Sequence, residues 1–234
     1  MMNIYAVKCP AVIDPELYNS FLQGLSKEKQ ERVSRYRRLE DSYRALLADV
    51  LVRSLISEMC EIPNEQIEFV YNAYGKPSFK QFPSFCFNVS HSGEWVVCIT
   101  HVSQVGIDVE QICSPVEFEL AERFFASTEV EDLFAKHPDE QLAYFYDLWT
   151  LKESYIKAVG KGLSIPLQSF SIRKHPDNSI TLSQQASDVA WCFRQYEIDP
   201  GYKLSACGMT NQFADQVIIF DLQDLHQKMF RSCM

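Results

Sequence analysis

The chain has 234 residues and a net charge of −9, with a pI near 5.1, a balance that argues against nucleic acid as the main partner. Its 47% hydrophobic and 13% aromatic content, including 16 Phe and 11 Tyr, suffices for a packed core and excludes a disordered or low-complexity chain. The start Met1-Met2-Asn3-Ile4-Tyr5 lacks the pattern of a signal peptide, no apolar run approaches a membrane span, and the eight cysteines form no C-x-x-C pair, so a globular cytoplasmic protein of one or two domains is expected.

In chain order, Ile4–Val7 reads as a short strand, followed by a connection marked by Pro10 and Pro15. Ser26 has the character of a helix N-cap. After it, Val33, Tyr36, Leu39, Tyr43, Leu46, Val50 and Leu51 recur at helical steps, with a break expected at Glu40-Asp41-Ser42. The opposite face carries eight of the chain's 22 Lys and Arg between Lys27 and Arg53, against five acidic residues. Such a patch in an acidic protein suits an anion, or is a solvated face laced with ion pairs. Ile67–Tyr71 is a second strand candidate, and Tyr74-Gly75-Lys76-Pro77 is a turn.

Phe85–Val89 and Trp95–Thr100 read as strands flanking a tight Ser90-His91-Ser92-Gly93 loop. Its hydroxyls, imidazole and free amides suit a phosphate, although a lone turn histidine is more often only solvated. Val105, Ile107 and Val109 then alternate with Asp108 and Glu110. On a strand the two carboxylates share one face roughly 7 Å apart. Either both are solvated, or a hard divalent cation with oxygen ligands sits between them. Pro115–Phe134 is a helical region in which Ser127-Thr128-Glu129 caps a second turn, and Gln141–Val159 is a strong helix stopped by Gly160-Lys161-Gly162. Glu153 and Lys157 lie one turn apart on that helix, as a surface ion pair or as part of a site. The remainder is β-rich: Phe170–Arg173, Ile180–Leu182, Ala190–Ile198 and Lys203–Gly208, then Gln216–Phe220, and the tail after Leu222 is uninformative.

Three segments stand in a fixed order: Asn88-Val89-Ser90-His91-Ser92, Gly106-Ile107-Asp108-Val109-Glu110, and Trp149-Thr150-Leu151-Lys152-Glu153-Ser154-x-x-Lys157-x-x-Gly160-x-Gly162. Together with Tyr74-Gly75-Lys76-Pro77 and the basic first helices, they resemble the 4′-phosphopantetheinyl transferases of the larger, monomeric, surfactin-synthetase-activating type. The resemblance covers nearly the whole chain. It implies an α/β (α+β) pseudo-dimer of two similar halves, 1–104 and 105–234, each an antiparallel sheet packed with a long helix, with the site in the cleft between them.

The resemblance further implies transfer of the phosphopantetheine arm of coenzyme A to a serine of an apo peptidyl or acyl carrier domain, releasing 3′,5′-ADP. Asp108, Glu110 and Glu153 would hold Mg²⁺ or, in its place, Mn²⁺. Glu153 or a water would take the serine proton, with Lys157 near the pyrophosphate. Lys29, Arg32, Arg44, Ser90 and His91 would meet phosphate, and Tyr74, Gly75 and Lys76 the adenine. Arg32 stands where the family often has lysine, which keeps the charge but not the shape. The carrier would dock on 111–125 through Ile112, Val116, Phe118 and Phe124. Two other readings use the same residues: a Mg²⁺-dependent phosphohydrolase or nucleotidyl transferase, and a non-catalytic carrier-binding module.

Overall fold

The computed structural model of the protein describes residues 1–114, 119–184 and 189–231. Val116 and Phe118 of the expected docking surface lie outside the described residues. The N-terminal part runs β1 (Met2–Lys8), α1 (Pro15–Gln23), α2 (Lys27–Ser34), α3 (Leu39–Cys60), β2 (Phe69–Tyr71), β3 (Pro77–Phe79), β4 (Cys86–Ser92) and β5 (Trp95–His101). Then come β6 (Val105–Gln111), α4 (Glu119–Phe124), α5 (Ser127–Phe134), α6 (Pro138–Val159), β7 (Phe170–Lys174), β8 (Ile180–Gln184), β9 (Cys192–Tyr196), β10 (Tyr202–Gly208), β11 (Phe213–Phe220) and α7 (Leu222–Met229).

Two sheets stack face to face between two long helices. The first has the order β11-β1-β5-β4 and the second β6-β10-β9. Strand periodicity divides β1 between two cores. Tyr5 and Val7 pack against α3 through Leu47, Val50 and Leu51, while Ile4 and Ala6 join Val97 and Ile99 against Val105, Ile107 and Val109 of the second sheet. The far face of the second sheet meets α6, where Cys207 and Phe193 pack on Leu151, Tyr155 and Ile156. Each half is therefore an α/β layer pair, as the resemblance implies. Two details differ from it. β1 and β11 are parallel, so the first sheet is mixed. And the range 105–234 is not continuous in space, because β11 pairs with β1 and α7 lays Leu225 and Met229 into the α3 core.

The alternation that puts Val105, Ile107 and Val109 against the first sheet turns Gly106, Asp108 and Glu110 toward α6. Gly106 allows the approach: a Cβ built there would lie 2.0 Å from the Ser154 carbonyl oxygen and 2.4 Å from the Ala158 nitrogen. Gly106→Ala must push α6 off the strand and is expected to cost about 3 kcal/mol, the upper range for overpacking. Urea unfolding checks this, and an unchanged midpoint would contradict it.

Several local expectations are corrected. The helical break lies at Arg35–Arg38, not at Glu40–Ser42; Glu40 and Asp41 occupy the first turn of α3, where their charge favours the helix N-terminus. Ser90, His91 and Ser92 are strand residues, and the hairpin turns at Gly93-Glu94, with Ser92 opposite Trp95 and Gly93 at φ +53°. Neither Ser127 nor Thr128 caps α5; its N-cap is Ala126, whose N–H donates to the Glu129 carboxylate (2.7 Å). Helix α7 occupies the tail whose pattern is uninformative, and Asp221 accepts from the Asp224 N–H in a capping box at its start.

Candidate active site

A cleft of about 470 Å³ opens where the two halves meet, with α2, α3 and β4 on one wall and β6 and α6 on the other. Lys29, Arg32, Gly75, Ser90 and His91 line it from the first half; Asp108, Glu110, Trp149, Glu153 and Lys157 line it from the second. One region is basic, one acidic, and Val33, Ala48, Phe69, Tyr71, Phe87 and Val89 form an apolar section.

The acidic end is built by a polar ladder. Asn88, Ser90 and Ser92 alternate on one face of β4 and accept the Ile107, Val109 and Gln111 N–H groups of β6 (2.9, 3.5 and 3.1 Å). These side chains take the place of a backbone ladder along the edge of β6. The same hydroxyls reach the carboxylates: Ser90 donates to Asp108 Oδ1 (2.9 Å) and Ser92 to Glu110 Oε2 (2.8 Å). Lys157 Nζ donates to Asp108 Oδ1 (2.5 Å) and to Ser90 Oγ (3.0 Å).

Charge is poorly balanced there. Asp108 is buried, at 2% exposure, and burial raises its pKa in spite of Lys157 and Ser90. Burial, then the Asp108 charge, pushes Glu110 up to about 7. Glu153 is raised for the same two reasons. Burial works against the Lys157 ammonium, but Asp108, Glu153 and Glu110 outweigh it and hold its pKa above the usual lysine value. Asp108 is therefore not a solvated surface carboxylate, and Glu110 is half-buried and held by Ser92.

These residues fit a hard dication. Three carboxylates face one ammonium, every donor is oxygen, and Asp108 Oδ2 is buried without a hydrogen-bond partner. Among the described residues no three carboxylate, imidazole or thiol side chains are already gathered about one point. Instead the Lys157 ammonium is seated on Asp108.

The basic end is less uniform than expected. Lys29 pairs with Asp49 across α2 and α3 (2.9 Å), and Arg32 lines the cleft beside it. His91 stands open at the cleft wall, yet desolvation among its neighbours and then the Arg44 guanidinium lower its pKa below the ordinary imidazole value. Arg44 itself is behind the wall: it donates to the Gly93 carbonyl (2.8 Å) and pairs with Asp41. Tyr74 is exposed outside the cleft, while Gly75, at φ +83°, lines it. Lys76 leaves the cleft altogether and donates to the Val105, Lys157 and Ala158 carbonyls.

Sequence reasoning placed Ser92 only among loop hydroxyls suited to phosphate, not at Glu110, and it missed Asp49. Ser92 was legible as the third member of the Asn88–Ser90–Ser92 alternation; nothing local distinguishes Asp49 from other helix-surface acids.

Comparison with known proteins gives the family of the chain. The family model "4'-phosphopantetheinyl transferase, N-terminal" matches residues 14–103, and that of the "4'-phosphopantetheinyl transferase superfamily" matches residues 104–207. The chain is 41% identical to the 4'-phosphopantetheinyl transferase Sfp of Bacillus subtilis, over 96% of this chain and 100% of that protein. It is 41% identical to the gsp transferase of Aneurinibacillus migulanus, over 89% and 86% of the two chains. A solved holo-(acyl-carrier-protein) synthase from Bacillus anthracis, in complex with CoA (3',5'-ADP), is 16% identical and covers 45% of this chain and 94% of its own, at a TM-score of 0.40. No helix among the described residues is long and apolar enough to cross a membrane. The near full-length identity makes this chain a member of the 4'-phosphopantetheinyl transferase superfamily.

Proposed function

We propose that the protein moves the 4′-phosphopantetheine arm of coenzyme A onto a serine of apo carrier domains of nonribosomal peptide, polyketide or fatty acid synthases. The observation that carries this is one cleft joining a basic region and an apolar section to three under-neutralised carboxylates. Coenzyme A has the matching parts: a 3′-phosphate, an adenine and a pyrophosphate.

Lys29, Arg32 and His91 bind the 3′-phosphate in this reading, and the apolar section by Gly75 takes the adenine. Asp108, Glu110 and Glu153 are the residues that would hold Mg²⁺ or Mn²⁺, which when bound supplies positive charge to the pyrophosphate oxygens. The carrier serine Oγ attacks the β-phosphorus, and the bond from that phosphorus to the bridging oxygen breaks. That oxygen leaves with 3′,5′-ADP. The serine proton passes to Glu153, a half-buried carboxylate that lines the cleft. Lys157 balances charge on the pyrophosphate one helical turn away.

Both walls of the cleft come from one chain, which supports a monomer with residues 1–104 on the coenzyme A side and the carboxylates beyond 104. The carrier docks beside 111–125, directly after the carboxylate strand. Coenzyme A as substrate puts the reaction in the cytoplasm.

Quantifying 3′,5′-ADP with and without an apo carrier domain tests the proposal. One molecule released per carrier modified, and none without carrier, is expected. Coenzyme A cleaved without carrier would contradict it and favour the phosphohydrolase. His91→Ala should raise KM for coenzyme A about tenfold, the loss of one charge-assisted hydrogen bond, and barely change that for dephospho-coenzyme A. Equal losses for both substrates would remove His91 from the 3′-phosphate.

A further inference from the structure

The last turn of α6 leaves carbonyls that its own helix cannot satisfy. The Ile156 carbonyl accepts from the Gly160 N–H (3.0 Å), closing the helix at Gly160 with φ +77°. The next ones are taken by the other half of the molecule. Lys76 Nζ donates to the Lys157 carbonyl (2.7 Å) and the Ala158 carbonyl (3.1 Å), and Asn72 Nδ2 to the Gly160 carbonyl (2.8 Å). The third bond of the same ammonium goes to the Val105 carbonyl (3.0 Å), at the first residue of β6.

The turn that presents Lys76 is itself fixed. Asn72 Oδ1 accepts the Tyr74 and Lys76 N–H groups (2.9 Å each), Gly75 takes positive φ, and Pro77 holds the backbone at Lys76 extended. The lysine stem then runs against Gly160, where a built Cβ would stand 3.0 Å from Lys76 Cδ. A cation at this place also meets the negative end of the α6 dipole.

We propose that Lys76 is a positioning residue for the transfer, a buried clamp that fixes the end of α6 against the start of β6 and so sets Glu153 and Lys157 relative to Asp108 and Glu110. It rests on the transferase reading and departs from the adenine contact that resemblance implies. Burial lowers the Lys76 pKa to about 8, so its charge is retained at neutral pH.

The test compares Lys76→Met, which keeps the stem and removes the donors, with Lys76→Arg. Three quantities are measured: amide exchange in the last turn of α6, Mg²⁺ affinity by calorimetry with 3′,5′-ADP present, and 3′,5′-ADP affinity without metal. Lys76→Met should speed exchange in the last turn and weaken Mg²⁺ binding about tenfold or more, as loss of support behind metal ligands does. It should lower kcat and leave metal-free 3′,5′-ADP affinity unchanged, and Lys76→Arg should recover part of the Mg²⁺ affinity. Unchanged exchange and Mg²⁺ affinity would overturn the clamp. So would weaker 3′,5′-ADP binding with Mg²⁺ affinity intact, which would return Lys76 to the adenine. Should Lys76→Met not fold, Asn72→Ala removes one of the cap bonds and is expected to shift exchange and Mg²⁺ affinity the same way; no shift overturns the proposal. Failure of the transferase reading is separate: the unaltered protein would then modify no carrier.

Discussion

Asp108→Asn abolishes transfer without unfolding the protein. The carboxylate is buried at 2% exposure, its Oδ2 has no partner, and burial holds its pKa above the ordinary value. A buried carboxylate left in that state destabilises the fold, so its place is best explained by what it binds. Asparagine keeps the shape and removes the charge. A loss of about a thousandfold in kcat/KM is expected, which corresponds to roughly 4 kcal/mol of transition-state stabilisation. Thermal stability at pH 7 should stay within about 1 kcal/mol, because Lys157 keeps Glu153 and Glu110 beside it. The pH dependence has a definite sign. A raised carboxylate pKa means that the folded state holds its proton longer, so the native protein loses stability relative to Asp108→Asn as pH climbs above the usual Asp range. Transfer kinetics and melting curves measured together decide the matter. Full activity would sink the cation site, and a melting point lower by more than about 10 °C would make Asp108 structural instead.

Glu129→Ala does the opposite, attacking the fold through a charge that never meets the cleft. Lys152, next to Glu153 in sequence, points the other way and is fully buried with Glu129 (side chains 0% and 1% exposed). Its Nζ donates to both Glu129 oxygens (2.8 and 2.6 Å) and to the Phe170 carbonyl (2.9 Å). Glu129 also accepts the Ala126 and Ile172 N–H groups, tying α5, α6 and β7 to one point. Desolvation lowers the Lys152 pKa, and only Glu129 counters it. Removing the carboxylate leaves an unpaired buried ammonium, and a loss of about 3–5 kcal/mol is expected in urea unfolding. The Glu129→Gln, Lys152→Met double variant should recover most of that loss, since neither residue then carries charge. A loss under about 1 kcal/mol for Glu129→Ala would show that the pair contributes little.

The parts that could be read from sequence are those with local periodicity. Val105–Glu110 alternates, so the face carrying Asp108 and Glu110 was legible, and the α6 stripe with Gly160 placed Glu153 and Lys157. The misreadings arose where local chemistry and long-range packing disagree. Ser90-His91-Ser92-Gly93 has the composition of a turn, but its serines are strand side chains that bond to β6, nineteen residues on from Ser90 in the case of Val109. Arg44 looks like a phosphate ligand by charge and Lys76 like an adenine contact by resemblance; only the fold shows that backbone carbonyls take them. Glu129 and Lys152 lie 23 residues apart, and no spacing rule pairs them. The parallel partnership of β11 with β1 joins the two ends of the chain, which no local pattern announces.

The intact mass of an apo peptidyl carrier domain, after incubation with the protein, coenzyme A and Mg²⁺ and with an EDTA control, tests the central claim most directly. A mass gain of one phosphopantetheine that EDTA prevents is the predicted result, and it would establish transfer and its cation together. A carrier that stays unmodified while coenzyme A binds, or one modified equally well in EDTA, would contradict the account.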